Sequence, residues 1–305
     1  MVVQIVRRRV SRRVLGVKVG AAAVGGVVAA GSGATAFGAG LAGPLPQATA
    51  QATAQATAQA PQPTPGSVQP TPTPRPVQFF PVAPVFQPYY NLDNGPQTMG
   101  SAISPLTTSG GVPAQYFEKA RLEDHHATNT TGDPTYDFEY GLLVDEMAAA
   151  NSLRPVGGDA STVTYATINQ LAQPGLRVPP PAGFTGGTAA LPDGSVFVPY
   201  TADLSPAPGH TVPPYFWDYL NRTDLFPGGW LHDIGLPSTE PAPAIVSKGR
   251  IVGSQVIPLT NYPITVQAFQ RTILTYDPGN PEGYQTERAN TGTDYAAVFP
   301  QNVPQ

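Results

Sequence analysis

One spaced pattern occurs twice in this chain of 305 residues, and it constrains the fold more than any other feature. Gln is followed by an aromatic residue two positions later, a cation two further on and a leucine three after that, in "QYFEKARL" at 115–122 and "QAFQRTIL" at 267–274. Phe-x-x-Tyr and a glycine-led turn precede both copies, and Asp-Pro or Asn-Pro and then Tyr-x-x-Glu follow them. This common order predicts an internal duplication.

The second copy has the sequence pattern of a small unit that contains both a helix and strands. Phe216, Tyr219 and Leu220 fall at i, i+3 and i+4, which predicts a short helix with one apolar face. Glycine and proline pieces then predict turns. "VQAFQRTILTY" at 266–276 is rich in β-branched and aromatic residues, which indicates one strand with a bulge or kink. "DPGNPEG" at 277–283 turns the chain into a hairpin partner.

We therefore expect an α+β, β-rich fold with two related small units after a disordered N-terminal third. Each unit has a short helix, a Gly-Pro turn and a β-hairpin, and "YGLLVDEMAAANSL" predicts a helix at the end of the first. The segment between the units predicts a short helix in "TVTYATINQLA", a strand at 196–200 and packing on the second unit. The predicted organisation is an export signal at 1–42, a linker at 43–78, repeat unit 1 at 79–153, a loop-rich insert at 154–213 and repeat unit 2 at 214–305.

The N-terminus has the layout of an export signal. A basic run is followed by a weakly apolar Ala, Gly and Val stretch and then by small residues, with candidate cleavage after Ala36 or Ala42. "SRRVL" at 11–15 resembles the twin-arginine motif. The alternative is a membrane anchor that stays attached. The linker repeats "QATA" and then becomes proline-rich, a composition typical of an extended or disordered spacer.

Charge and cysteine content restrict the partners. Six of the 16 Lys and Arg residues precede residue 19 and no Asp or Glu precedes residue 93, so the rest of the chain carries 10 cations against 20 anions, a net charge of −10. An acidic protein of this kind does not favour nucleic acid, and it would meet a membrane only through an uncleaved leader. The absence of cysteine excludes disulfides, thiolate metal sites and thiol catalysis.

No catalytic motif is recognisable. The sequence has no Gly-x-Ser-x-Gly elbow, no dinucleotide fingerprint and no phosphate-binding glycine loop, so we expect no cofactor. His125 and His126 are weak metal candidates, because adjacent histidines point in different directions and no chelating spacing surrounds them. The His232–Asp233 pair has no recognisable nucleophile beside it. A glycosidase would need two placed carboxylates, and no pair stands out among Glu118, Glu123, Asp145, Glu240 and Glu287.

Two sets of residues are the better candidates for defined roles. Lys119 and Arg271 occupy equivalent places in the two copies, as do Glu139 and Glu287, and we expect these four to form structural ion pairs. Aromatic residues crowd into 215–230, where they could form the core or contact a sugar or protein. The candidate ligand-binding residues in that segment are Tyr215, Trp217 and Trp230.

The order of helix, Gly-x-Pro-x-x-Glu, Gln-x-Phe-x-Arg-x-x-Leu, Asp-Pro and Tyr resembles repeat units of secreted, mostly uncharacterised bacterial proteins. "IGLP" at 234–237 also matches in part the Leu-Gly-Phe-Pro signature of LGFP repeats, which are cell-wall-associated modules. The first copy departs from the pattern, with Ala-Ile-Ser-Pro at 102–105. The resemblance implies wall association.

Together these features favour an exported, non-catalytic cell-envelope or extracellular protein. It would bind a polysaccharide, a cell-wall polymer or a surface protein. The alternatives are a secreted hydrolase with carboxylates that the sequence does not identify, and a purely structural surface component.

Overall fold

The computed structural model describes residues 78–157, 161–226, 228–252 and 255–305. The predicted export signal and all but the last residue of the predicted linker lie outside these residues. No helix in the described part of the chain is long and apolar enough to cross a membrane.

The predicted α+β, β-rich class is confirmed, with 29% strand against 22% helix. Three antiparallel sheets organise the described residues. The first sheet has the order β1-β2-β3-β4, with strands Thr107–Ser109, Val112–Tyr116, Arg121–Asp124 and Phe138–Tyr140. The second has the order β11-β10-β9-β8, where β8 to β11 are Ala242–Val252, Gln255–Ala268, Ile273–Tyr276 and Thr286–Arg288. The third joins β5 to β7, at Ala189–Ala190, Val196–Pro199 and Gly209–Val212.

The helices are short and flank the sheets. Two precede the first sheet and one follows it, and the second sheet has the same arrangement. A further helix, α4, lies in the insert. Their bounds are α1 Gln87–Leu92, α2 Gly95–Thr98, α3 Leu143–Ala149, α4 Tyr165–Leu171, α5 Pro214–Leu220, α6 Trp230–Asp233 and α7 Thr291–Val298. As expected, α5 buries Phe216, Tyr219 and Leu220 on one face.

The repeated glutamine has the same structural role in both sheets. The Gln115 side-chain amide donates to the carbonyls of Pro81 and Ser104, at 2.9 Å each. The Gln267 amide donates to Thr211 and Thr239 carbonyls, at 2.8 Å each. Both glutamines are fully buried, so each ties the segment before its first helix to the loop that leads into its sheet. These matched bonds support the inference of duplication, which remains our interpretation of the two copies.

The prediction of one strand with a bulge or kink at 266–276 is wrong, because a tight turn divides this segment between two strands. β9 ends at Ala268 and β10 begins at Ile273, and the Phe269 N–H donates to the Thr272 carbonyl at 2.8 Å across a tight turn. The residues of this turn have strand propensity. The turn is nevertheless stable because its polar groups have partners, including a 3.0 Å bond from the Leu236 N–H to the Gln270 side chain. Phe269 stays fully buried, as expected for a core residue.

Each closing helix docks on the turn of the opposite sheet. The Asp145 N–H, in the first turn of α3, donates to the Gln270 carbonyl at 3.4 Å. The Thr293 N–H, at the same place in α7, donates to the Glu118 carbonyl at 3.0 Å. The start of a helix leaves N–H groups without helical partners, and here the other sheet supplies the acceptors.

The insert divides between two hydrophobic clusters. Val196, Val198 and Val212 of the third sheet pack with Phe216 and Phe269, which agrees with the predicted packing on the second unit. The beginning of the insert instead packs on α3 and the second sheet, through a cluster whose insert members are Val156, Val163, Tyr165 and Ile168.

Replacing Gly292 tests the docking of α7 on the turn of the first sheet. A Cβ atom at Gly292 would overlap the Phe117 carbonyl oxygen, because α7 meets the turn of the first sheet there. Gly292→Ala should lower the free energy of unfolding by roughly 2 kcal/mol, even though alanine favours helices. Denaturant titration measures this. Gly175→Ala, at an exposed glycine with open space around it, is the matched control, and equal stability of both variants would contradict the docking.

Candidate functional site

An open pocket beside the first sheet has a cavity volume of about 840 Å³, larger than three other pockets of about 300, 440 and 390 Å³. We call it the Arg121 pocket. β1 supplies hydroxyl side chains, β3 and α3 supply charged groups, and the segment after α7 supplies amides. Its polar lining residues are Thr107, Thr108, Ser109, Arg121, Glu123, His125, Glu146, Gln301 and Asn302.

Arg121 organises the charges of this pocket. Its Nε donates to Glu123 Oε1 at 2.6 Å, and its Nη2 and Nη1 donate to the two carboxylate oxygens of Glu146 at 2.7 and 3.2 Å. The Arg121 side chain is only 6% exposed. Burial alone would lower its pKa, but the bond to Glu146 and the charge of Glu123 raise the pKa overall. The guanidinium therefore stays charged and holds both carboxylates in place.

Two tyrosines support this arrangement from the floor of the pocket. The rings of Tyr116 and Tyr295 stack with centroids 5.6 Å apart, and the Arg121 guanidinium lies 5.7 and 5.6 Å from their centroids. The Tyr295 hydroxyl donates to Glu146 at 2.7 Å and accepts from Asn302 at 3.2 Å. Glu146 is thus fixed by three donors before any ligand arrives.

Of the four residues predicted to form ion pairs, each cation shares a pocket with the glutamate of the other copy. Arg271 and Glu139 line one pocket, and Lys119 and Glu287 line two others. Among the described side chains, neither pair comes within the 4.0 Å of an ion pair. The cations bind backbone instead: Arg271 Nε donates to the Tyr140 carbonyl at 2.9 Å, and Lys119 Nζ to the Gln97 carbonyl at 3.1 Å.

The candidate aromatic residues pack against the core of the second unit. Trp217 and Trp230 are half-buried and meet edge to face, with centroids 5.6 Å apart. Tyr215 is also half-buried and stacks on Tyr276 at a centroid distance of 3.9 Å. None of the three lines the Arg121 pocket, so the structure does not bring them together with its polar groups.

The adjacent histidines point to different partners, as their spacing predicts. His125 Nε2 lies 3.1 Å from Glu123 Oε2, and His126 Nδ1 lies 2.7 Å from Asp124 Oδ1. No group of three or more metal-ligating side chains is found within the described ranges. His125 lines the Arg121 pocket.

A buried acidic cluster was missed by the sequence reasoning. Asp93 and Asp233 are 1% and 0% exposed. The Tyr140 hydroxyl donates to Asp93, the Tyr89 hydroxyl donates to Asp233 at 3.1 Å, and His232 Nδ1 lies 2.6 Å from Asp233. The cluster joins α1, β4 and α6, which are far apart in the sequence, and only the His232–Asp233 neighbours gave any local signal.

The environment of this cluster changes its ionisation. Burial and the charge of Asp233 raise the pKa of Asp93 to about 8, although the bond from Tyr140 opposes the shift. Burial would lower the pKa of His232, but its bond to Asp233 raises it overall. The raised pKa of Asp93 favours its protonated form, which reduces the cost of burying two carboxyl groups together.

Comparison with known proteins adds no family to this description. A scan against family models finds no match, and searches of curated proteins and solved structures find no similar chain.

Asp93→Asn should reduce the pH dependence of stability. An unfolded aspartate ionises near pH 4, whereas native Asp93 keeps its proton to about pH 8. Between these values the folded chain holds one more proton, so the free energy of unfolding falls as pH rises, by up to about 1.4 kcal/mol per pH unit. The variant should lose this fall in denaturant titrations from pH 5 to 8. Asp218→Asn, at an exposed helix position, is the control; a wild-type slope in Asp93→Asn would contradict the assignment.

Proposed function

We propose that this is an exported, non-catalytic binding protein of the cell envelope or extracellular space, and that it recognises an extracellular polymer at the Arg121 pocket. The polymer is a polysaccharide, a cell-wall polymer or a surface protein. The basic and apolar leader supports export, and the resemblance to LGFP repeats supports an envelope location. The acidic composition after the leader argues against nucleic acid as the partner.

One observation supports binding over hydrolysis most strongly. Arg121 holds both Glu123 and Glu146, so both carboxylates are committed to one guanidinium. A hydrolase that uses two carboxyl groups places them on either side of the scissile bond, one as the acid and the other as the base or nucleophile. Here the Arg121 guanidinium bonds to both carboxylates. Fixed hydrogen-bonding groups around an open cavity are instead suited to orienting a polar ligand.

A secreted hydrolase is the second candidate, and Asp145 is the observation that favours it. Asp145 lines the neighbouring pocket together with Glu123, Glu139 and Glu146. Burial raises its pKa to about 6, against the opposing charge of Arg271. A carboxyl group whose pKa is raised toward the working pH is a candidate general acid. If this alternative holds, the full chain releases soluble sugars or peptides from envelope material, and Asp145→Asn abolishes the release.

Ser109→Phe should block the Arg121 pocket. Ser109 is a half-buried lining residue of β1, and a phenyl ring there would occupy space that a ligand needs. The full chain should sediment with isolated cell envelopes without releasing soluble products, and the variant should bind at least tenfold more weakly. Thr260→Phe, on the exposed part of β9, is the matched control and should bind as the wild type does. Unchanged binding by Ser109→Phe would contradict recognition at this pocket.

A further inference from the structure

We infer that the ligand of the Arg121 pocket is an extended polypeptide segment, which pairs with the free edge of β1 and places its side chains in the pocket. This inference rests on the proposed binding function and selects a surface protein as the class of partner. Two independent observations carry it: the hydrogen-bonding state of the β1 edge, and the way the chain itself fills the equivalent position beside the second sheet.

The edge of β1 offers an unused backbone position at Thr108. β1 is the outer strand of the first sheet, and Thr108 lies opposite Pro113 of β2. Proline has no N–H, so these two residues form a non-hydrogen-bonded pair, and the N–H and carbonyl of Thr108 point away from β2. No partner for either group is found within the described residues. A peptide strand added to this edge would find both groups available.

The second sheet contains an equivalent position that is already filled. The repeated pattern aligns Ala114 with Val266, and their strand partners Thr107 and Ala242 therefore correspond. The fourth residues of α3 and α7 correspond as well, and they are Glu146 and Asp294. The Arg121 pocket thus has a counterpart bordered by β8 and Asp294.

A part of the insert that we call the strap, residues 154–157 and 161–165, occupies this counterpart. Arg154 Nε donates to Asp294 Oδ1 at 3.1 Å, and the Tyr165 hydroxyl donates to Asp294 Oδ2 at 2.9 Å. The Thr162 N–H donates to the Ile245 carbonyl of β8 at 2.9 Å. The strap therefore combines backbone pairing to a sheet edge with side chains directed at the helix acid. We assign the same mode to the ligand of the Arg121 pocket.

Differences between the two positions define the chemistry of the ligand. The strap buries Val156 and Val163 in a cluster with Ala244 and Ile273 of the second sheet. Ser109 and Arg121 take the places of those last two residues beside the first sheet, and Glu123 and His125 add polar groups. The ligand should therefore present polar side chains where the strap presents valines.

The buried aromatic floor favours a peptide over a sugar. A sugar ring is commonly held by an exposed aromatic face, and Tyr116 and Tyr295 are only 2% and 3% exposed. Their faces are occupied by each other and by Arg121. The accessible groups are the hydroxyls, amides and carboxylates of the wall and the backbone of Thr108, which together suit an extended peptide.

A random twelve-residue peptide library displayed on phage, selected on the full chain, tests this inference. The selected peptides should bind Thr108→Pro at least tenfold more weakly than the wild type, because proline removes the outward N–H. Thr108→Val should weaken binding less than Thr108→Pro does, since valine removes only the hydroxyl and keeps the backbone N–H of the edge. The equivalent residue of β8 is Pro243, so the strand accepts proline at this place. The amide of Thr108 in the wild-type chain should also become protected from hydrogen exchange when a selected peptide binds.

The other results separate the two proposals. Selected peptides that bind Thr108→Pro normally and leave the Thr108 amide unprotected would overturn edge pairing. Glycans from a bacterial glycan array that bind the wild type and not Ser109→Phe, with no peptide selected, would overturn the peptide ligand and keep the binding function. Envelope binding that Ser109→Phe does not weaken, with no bound peptide or glycan, would overturn both. Should Thr108→Pro fail to fold, the exchange of the wild-type amide decides.

Discussion

The described structure depends on a reciprocal backbone interaction between two similar sheets. The first turn of α3 donates a hydrogen bond to the turn at Gln270, and the first turn of α7 donates one to the turn at Glu118. Helix starts and tight turns both carry backbone groups that their own elements leave unpaired, and here each sheet supplies the partner for the other. Gly292 permits the close approach on one side. The two sheets should therefore fold as one cooperative body.

Equivalent positions of this framework are used in different ways. Beside the second sheet, Asp294 is enclosed by the strap and receives Arg154 and Tyr165. Beside the first sheet, Glu146 is held by Arg121, and the space that the strap would occupy is an open pocket. One framework thus produces a filled structural position and an accessible site. This asymmetry links the repeated sequence to the proposed binding function.

The repeated landmarks were sufficient to predict the fold class and a short helix with Phe216, Tyr219 and Leu220 on its buried face. The turn at 269–272 could not be predicted, because its residues have strand propensity and their partners lie in a distant segment. The Arg121 pocket was missed for a related reason: Arg121 replaces the apolar Ile273 of the other copy, and only a comparison of the copies position by position would have revealed it. The pairing of Asp93 with Asp233 is created entirely by tertiary packing.

Native-state hydrogen exchange of the full chain tests the central claim most directly. The amides of Phe117 and Phe269 donate across the two equivalent turns, at 2.7 and 2.8 Å. Joint folding of the sheets predicts that both amides exchange only through global unfolding, with the same free energy of opening. Exchange of one amide through a smaller opening, while the other stays protected, would show that the sheets unfold separately and would contradict the account.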